Sequence, residues 1–247
     1  VPSTVVDVDG DTAVGAGEPG VGRIVERAVD RIEHPHQRRV QRRSPELLAV
    51  HADSGGGLQR VDDLPQAPDL AVICTPPDSV PELIDALGRR GTRAAIVMTA
   101  GFDAAQKQAM LDAARRHLLR ILGPNCLGAL APHIGLNASF SHIAATPGTL
   151  AFVSQSGALV TAMLDWARGR GIGFSHFVSL GEHADVDFGD MLDYLASDPK
   201  TRAILLYIES IDAPRKFMSA ARAAARNKPV LVVKAGRSAQ GAAAAAS

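Results

Sequence analysis

Three short stretches carry residue types that could do chemistry. Ser154-Gln155-Ser156-Gly157 puts two hydroxyls and a glycine between an apolar run, Leu150 to Val153, and a segment with Ala158, Leu159, Ala162, Met163 and Trp166 at helical spacing. Backbone N–H groups at such a turn converge on one spot, and the helix dipole adds partial positive charge there. That spot suits a phosphate or a carboxylate. An ordinary strand-to-helix turn with Ser154 or Ser156 as N-cap has the same sequence. Glu209-Ser210 stands at the end of another apolar run, as an exposed strand-end carboxylate or as a site residue. Gly15, Gly17 and Gly20 satisfy G-x-G-x-x-G, with Gly22 following. Between a strand and a helix, those glycines would let backbone approach a pyrophosphate; a flexible glycine loop explains them as well. Asp7, Asp9, Gly10 and Asp11 interrupt the strand expected upstream.

The histidines and cysteines add little. No His/Cys/Asp/Glu spacing resembles a metal site, so no metal is expected. His176 falls inside a strand and reads as a packed, satisfied histidine, and His183 follows a strand in a turn. Cys126 has no basic partner nearby in the chain and reads as a packing or contact residue. With Cys74 the only other cysteine, a disulfide framework is not expected and a reducing, cytoplasmic setting is.

The elements that must position these residues follow from composition and rhythm. Hydrophobic residues make up 46% of the 247, but aromatics only 4%, so alanine, valine, leucine and glycine do the packing, as in helices laid on parallel sheets. The formal net charge of +0 gives no pull toward nucleic acid or anionic lipid, and no apolar run approaches a membrane span. Neither partner is expected. Residues 69–75, 94–98 and 118–122 read as buried strands, with helices over about 78–90 and 103–117, where Asp78 or Ser79 caps the first. The polar strand ends Thr75-Pro76-Pro77, Thr99-Ala100-Gly101 and Pro124-Asn125-Cys126 should then converge, because ligands of doubly wound sheets lie at the carboxyl ends of strands. A second series follows, with strands at 150–153, 174–179, 203–208 and 230–233. Between the two series, 131–148 reads as an irregular connector. From 26 to 60 the chain is rich in arginine without interleaved aromatics, which fits a solvated stretch better than an RNA-binding one.

Ile73-Cys74-Thr75-Pro76-Pro77, Gly123-Pro124-Asn125-Cys126-Leu127-Gly128, Ser154-Gln155-Ser156-Gly157-Ala158-Leu159 and Leu205-Leu206-Tyr207-Ile208-Glu209-Ser210, in this order, resemble the nucleoside-diphosphate-forming acyl-CoA synthetases, relatives of the succinyl-CoA synthetase α subunit. The resemblance runs from about Leu64 to the end and, more loosely, over 15–25. It implies an α/β chain: a CoA-binding Rossmann-like domain over 1–130, with 26–60 atypical, then a flavodoxin-like succinyl-CoA synthetase-type domain over 148–247. Both would have parallel sheets with helices on both faces. It further implies an acid, CoA and ATP giving acyl-CoA, ADP and phosphate through a phosphohistidine. Gly15, Gly17, Gly20, Gly22, Thr75, Pro76, Pro77, Thr99, Ala100 and Gly101 would line the CoA site, with Asn125 and Cys126 near its thiol end. Ser154, Ser156, Gly157 and Ala158 match the loop that holds the phosphoryl group, and Glu209 the carboxylate that orients the phosphohistidine. The nucleotide, with Mg, would be bound mainly by an ATP-grasp-type domain or subunit, and an oligomer is expected.

Two departures stand out. Relatives carry their phosphorylated histidine after a segment like Gly236-Arg237-Ser238 and the alanines, whereas the last histidine here is His183. The second domain is therefore expected to be truncated, and His183 is not taken as the nucleophile. The arginine-rich stretch is unlike the family's second strand and reads as a divergent insert or a scrambled frame. Two other functions remain open. One is a CoA- or acyl-CoA-sensing module fused to a lysine acetyltransferase domain, toward which 177–190 and Arg215-Lys216-Phe217 lean. The other is a nicotinamide-dependent dehydrogenase, which rests on the glycine turn alone.

Overall fold

The structure, a computed structural model, describes residues 4–7, 47–51, 61–64 and 66–235. Gly15, Gly17, Gly20, Gly22, most of the arginine-rich stretch and the alanine-rich end lie outside the described residues. The chain divides into two compact units, Val1–Asn125 and Cys126–Ser247.

In the first unit five strands run parallel in chain order, β1 (Thr4–Asp7), β2 (Leu47–His51), β3 (Leu70–Cys74), β4 (Ala94–Val97) and β5 (Arg120–Leu122). β2 thus places a strand within the arginine-rich stretch. The continuous apolar run of β3 fits burial on both faces: Ala71 and Ile73 are wholly inaccessible on one face and Val72 is buried on the other. Helix α1 (Val80–Arg90) buries Val80, Leu83, Ile84 and Leu87, the i, i+3, i+4, i+7 stripe of an amphipathic helix, and ends at Gly91 in the left-handed region. Helix α2 (Ala104–His117) opens with a capping box, in which Asp103 Oδ1 accepts from Gln106 N and Gln106 Oε1 accepts from Asp103 N, both at 2.8 Å. The two helices pack closely at Gly88, where a Cβ would fall 2.4 Å from the His117 ring. The expected Ser79 cap is not formed. Ser79 sits in helical φ/ψ after a 3-10 turn, and its Oγ lies 2.8 Å from both Thr75 Oγ1 and Pro76 O instead of facing the helix N–H groups.

The second unit holds a six-stranded sheet in the order β11-β10-β8-β9-β6-β7. Its strands are β6 (Gly128–Ala131), β7 (Leu136–Ser139), β8 (Pro147–Ser154), β9 (Phe174–Ser179), β10 (Ala203–Ile208) and β11 (Val230–Lys234). Strands β8 to β11 are parallel, while β6 runs antiparallel to both β7 and β9. The stretch read as an irregular connector is therefore partly a hairpin, turned at Gly135 with φ of 73°. Its short strands lack the β-branched residues that would have announced them.

Helix α3 (Gly157–Arg168) covers one face of this sheet; α4 (Phe188–Ser197) and α5 (Pro214–Ala225) pack together on the other. The buried line of α3 is Val160, Leu164 and Ala167, whereas Ala158, Ala162 and Trp166 face solvent and Leu159 and Met163 are half-buried. Both lines have helical spacing, so periodicity could not choose between them. The face that meets Phe152 and Phe177 is the one that is buried. The exposed Trp166 ring carries the Arg170 guanidinium 4.5 Å from its centre. Phe152, Phe174 and Phe177 supply most of the aromatic volume beneath α3, with ring centres 4.6 and 4.9 Å apart. On β9, His176 is half-buried, with Nε2 3.1 Å from the Tyr194 hydroxyl. Its Nδ1 stands 3.5 Å from Asp198 Oδ2 without a hydrogen bond, so the ring is only partly satisfied; burial pushes its pKa down.

Candidate functional site

Parallel register brings the carboxyl ends of β3, β4 and β5 to one edge of the first sheet. There, Thr99 Oγ1 donates to Thr75 O at 2.6 Å, and Asn125 N donates to Thr99 O at 2.9 Å. The expected convergence of these three strand ends is present. Thr75 is buried, Thr99 and Pro77 are half-buried, and Pro76, Ala100, Gly101 and Asn125 are exposed. Gly101 and Asn125 have φ of 84° and 55°, turning the chain sharply away from the strands. Small residues and backbone polar groups here allow close approach by a ligand but offer no side chain for proton transfer. At Cys74, the last residue of β3, burial pushes the thiol up to about 11, which favours the protonated form near neutral pH. Cys126, the first residue of the second unit, is buried.

In the second unit the turn between β8 and α3 is fixed by its serines. Ser154, wholly buried, donates from Oγ to Ser156 O at 3.0 Å and accepts Leu180 N on its carbonyl at 2.8 Å. Ser156 is the N-cap of α3, its Oγ accepting Leu159 N at 3.4 Å. Its hydroxyl therefore serves the helix, while the remaining first-turn N–H groups are the donors that a helix start leaves unpaired. A Cβ at Gly157 would meet only Leu127 Cβ, at 3.8 Å, so the space over this residue is open, and Ala158 beside it is exposed. An oxyanion fits such a place by both geometry and dipole.

Glu209 follows β10, the neighbour of β8, and is half-buried. What places it is Gln155, whose part in the site the local sequence does not spell out. Gln155 Oε1 accepts both Glu209 N at 2.6 Å and Ser210 N at 2.9 Å, and its Nε2 donates to Ser210 Oγ at 3.0 Å. Gln155 N also donates to Tyr207 O at 3.3 Å. From the other side, Lys234 Nζ donates to Glu209 O at 2.9 Å. The signal available in sequence was an amide, donor and acceptor in one group, set between two serines at a strand end. His183, buried and at φ of 40°, places Nε2 3.3 Å from Ser210 Oγ and Nδ1 3.5 Å from Asp212 Oδ2. Among the described residues no group of three or more His, Cys, Asp or Glu could hold a metal ion. Among them, too, no helix is long and apolar enough to cross a membrane.

Residues 37–132 match the CoA binding domain family, and residues 147–247 match the succinyl-CoA ligase like flavodoxin domain family. The first match begins inside the arginine-rich stretch. Over 190 residues the chain is 43% identical to acetate–CoA ligase [ADP-forming] I of Archaeoglobus fulgidus, covering 74% of this chain and 28% of that protein. It is 40% identical over 191 residues to the α subunit of acetate–CoA ligase [ADP-forming] I of Pyrococcus furiosus, covering 75% of this chain and 41% of that subunit. The chain thus spans less than half the length of either curated relative. Among solved structures, acetyl-coenzyme A synthetase 1 of Candidatus Korarchaeum cryptofilum, in complex with phosphate and ADP, superposes with a TM-score of 0.77 at 33% identity, over 91% of this chain and 48% of that one.

Proposed function

The chain belongs to the nucleoside-diphosphate-forming acyl-CoA synthetases, and from that premise we propose that it is the CoA-binding and phosphoryl-holding part of an ADP-forming acid–CoA ligase. In this reading acid, CoA and ATP become acyl-CoA, ADP and phosphate; acetate is the first acid to test. The strand ends of the first unit, Thr75-Pro76-Pro77, Thr99-Ala100-Gly101 and Asn125, with Gly15, Gly17, Gly20 and Gly22 and with Cys126, bind CoA. Close approach is what Ala100 and Gly101 permit, and Asn125 and Cys126 attend the thiol end.

The serine turn of the second unit holds the phosphoryl group. N–H donors at Gly157 and Ala158 are fixed by the Ser156 cap before any ligand arrives, so little reorganisation accompanies binding. Glu209 holds the imidazole of the phosphorylated histidine in one tautomer and stabilises its charged form. Transfer of a phosphoryl group needs positioning and electrostatic support more than covalent help, which suits a site of fixed donors and one carboxylate. An ATP-grasp-type domain or subunit supplies the nucleotide with its Mg, making the working enzyme an assembly. The two free cysteines, Cys74 and Cys126, support a reducing, cytoplasmic setting. The relatives named above are ligases, which favours synthesis over the sensing role in an acetyltransferase fusion.

The observation that carries this reading is the Gln155 amide joining the serine turn to the Glu209–Ser210 strand end, which puts a dipole-backed anion site and a carboxylate on adjacent strands. Calorimetry on the chain should show binding of CoA, and ³¹P line broadening should show binding of inorganic phosphate. Tight NAD binding with none of CoA would overturn the proposal in favour of a dehydrogenase.

A further inference from the structure

Gln155 is buried to 9% exposure, and both the oxygen and the nitrogen of its side chain bond to the two residues that follow β10. A buried amide whose oxygen and nitrogen are both bonded is rigid, because each bond lost would strand a polar group away from water. The two N–H groups it accepts belong to successive residues, Glu209 and Ser210. Successive N–H groups in an extended strand point to opposite sides, so both can reach one oxygen only where the strand has turned. Gln155 therefore fixes the bend at the end of β10, the bend from which the Glu209 side chain leaves.

Ser210 is the second attachment point: its Oγ receives Gln155 Nε2 and lies 3.3 Å from His183 Nε2. Ser210, His183 and Asp212 have the connectivity of a serine–histidine–carboxylate triad. However, the Asp212 side chain is 77% exposed and its contact with His183 is 3.5 Å. A solvated carboxylate at that distance does little to activate an imidazole, so the cluster braces the strand end.

We infer that Gln155 is a positioning residue for the phosphoryl-transfer step, clamping the Glu209–Ser210 peptide to the end of β8 so that the Glu209 carboxylate has one location beside the serine turn. This rests on the synthetase reading above. It also separates two jobs within Ser154-Gln155-Ser156-Gly157: the serines shape the turn whose backbone N–H groups face the anion, and the glutamine serves the carboxylate on the next strand.

The test is made in the complete synthetase, with ¹⁵N spectra of the Glu209 and Ser210 amides alongside kinetics. Gln155→Leu is expected to move both amide resonances and to lower kcat about 10- to 100-fold, as loss of an orienting partner does, with KM for CoA unchanged. Gln155→Glu keeps an oxygen for both N–H groups, so the amide shifts should persist. The added charge disfavours ionised Glu209 and should move the acidic limb of the pH–rate profile upward. A folded Gln155→Leu enzyme with wild-type kcat overturns the inference. If that variant does not fold, Gln155→Glu decides, and an unmoved acidic limb overturns it. A wild-type enzyme that makes no acyl-CoA is a different outcome, which overturns the synthetase reading beneath it.

Discussion

At the carboxyl ends of β3, β4 and β5 the candidate site is almost all backbone and small side chains, tied by Thr99 Oγ1 on Thr75 O and Asn125 N on Thr99 O. At the ends of β8 and β10 a buried glutamine amide gathers two strands, with a serine, a histidine and a lysine attached around it. The difference follows from what each is proposed to do. A site that only binds needs shape and accessible backbone, which residues without bulk provide. One that steers a reacting group needs a charged side chain in one place, and an exposed strand end cannot hold one there without a buried polar anchor.

The largest expected effect tests whether the second site is the chemical one. Glu209→Gln keeps the backbone bonds to Gln155 but removes the charge, and should lower acyl-CoA formation on the order of 10²-fold. CoA affinity, measured by calorimetry, should not change; a parallel loss of both would merge the two sites into one function. An intermediate effect comes from one small change on each side. Gly157→Ala meets only Leu127 Cβ at 3.8 Å and replaces a poor helix former, so the melting temperature should hold or rise. Phosphate affinity, followed by ³¹P titration, should fall about tenfold because the methyl group occupies the open approach. Thr99→Val removes the bond to Thr75 O, worth about 1 kcal/mol. It should weaken CoA binding a few-fold and leave phosphate binding alone.

The smallest expected effect concerns the helix pair of the first unit. Asp85 is held below its ordinary value of 3.8 by its hydrogen bond with His117, against a desolvation effect of opposite sign, with Arg89 and Arg116 adding charge. A carboxylate with a depressed folded pKa contributes stability above the unfolded value and loses it as pH falls through the lower folded one. The gap in melting temperature between wild type and Asp85→Asn should therefore be present above 3.8 and close as pH drops below it. Because Asp85 is partly exposed and screened, the gap should be a few degrees at most.

Much of this was legible in the chain. The buried parallel strands declare themselves as apolar runs, and the α1 stripe as helical spacing. The convergence of Thr75, Thr99 and Asn125 follows from topology, since parallel strands must end on the same side. The hairpin β6–β7 was not legible, because its residues have no strong strand preference and pair only through neighbours already in the sheet. Nor was the buried face of α3, where two stripes of equal spacing compete and the apolar surface beneath the helix settles the matter.

Residue order alone determined the α/β class, the strand-to-helix turn at Ser154–Gly157 and the presence of Glu209 at a strand end. These depend on local spacing and on the chemistry of single side chains. Only the tertiary structure decided what Gln155 does. Its partners, Glu209 and Ser210, are 54 and 55 residues away in the chain. The amide reaches them because β8 and β10 are neighbours in the sheet, although β9 lies between them in the sequence. Glutamine side chains lie mostly on protein surfaces. Burial against the end of another strand is what turns this one into a clamp.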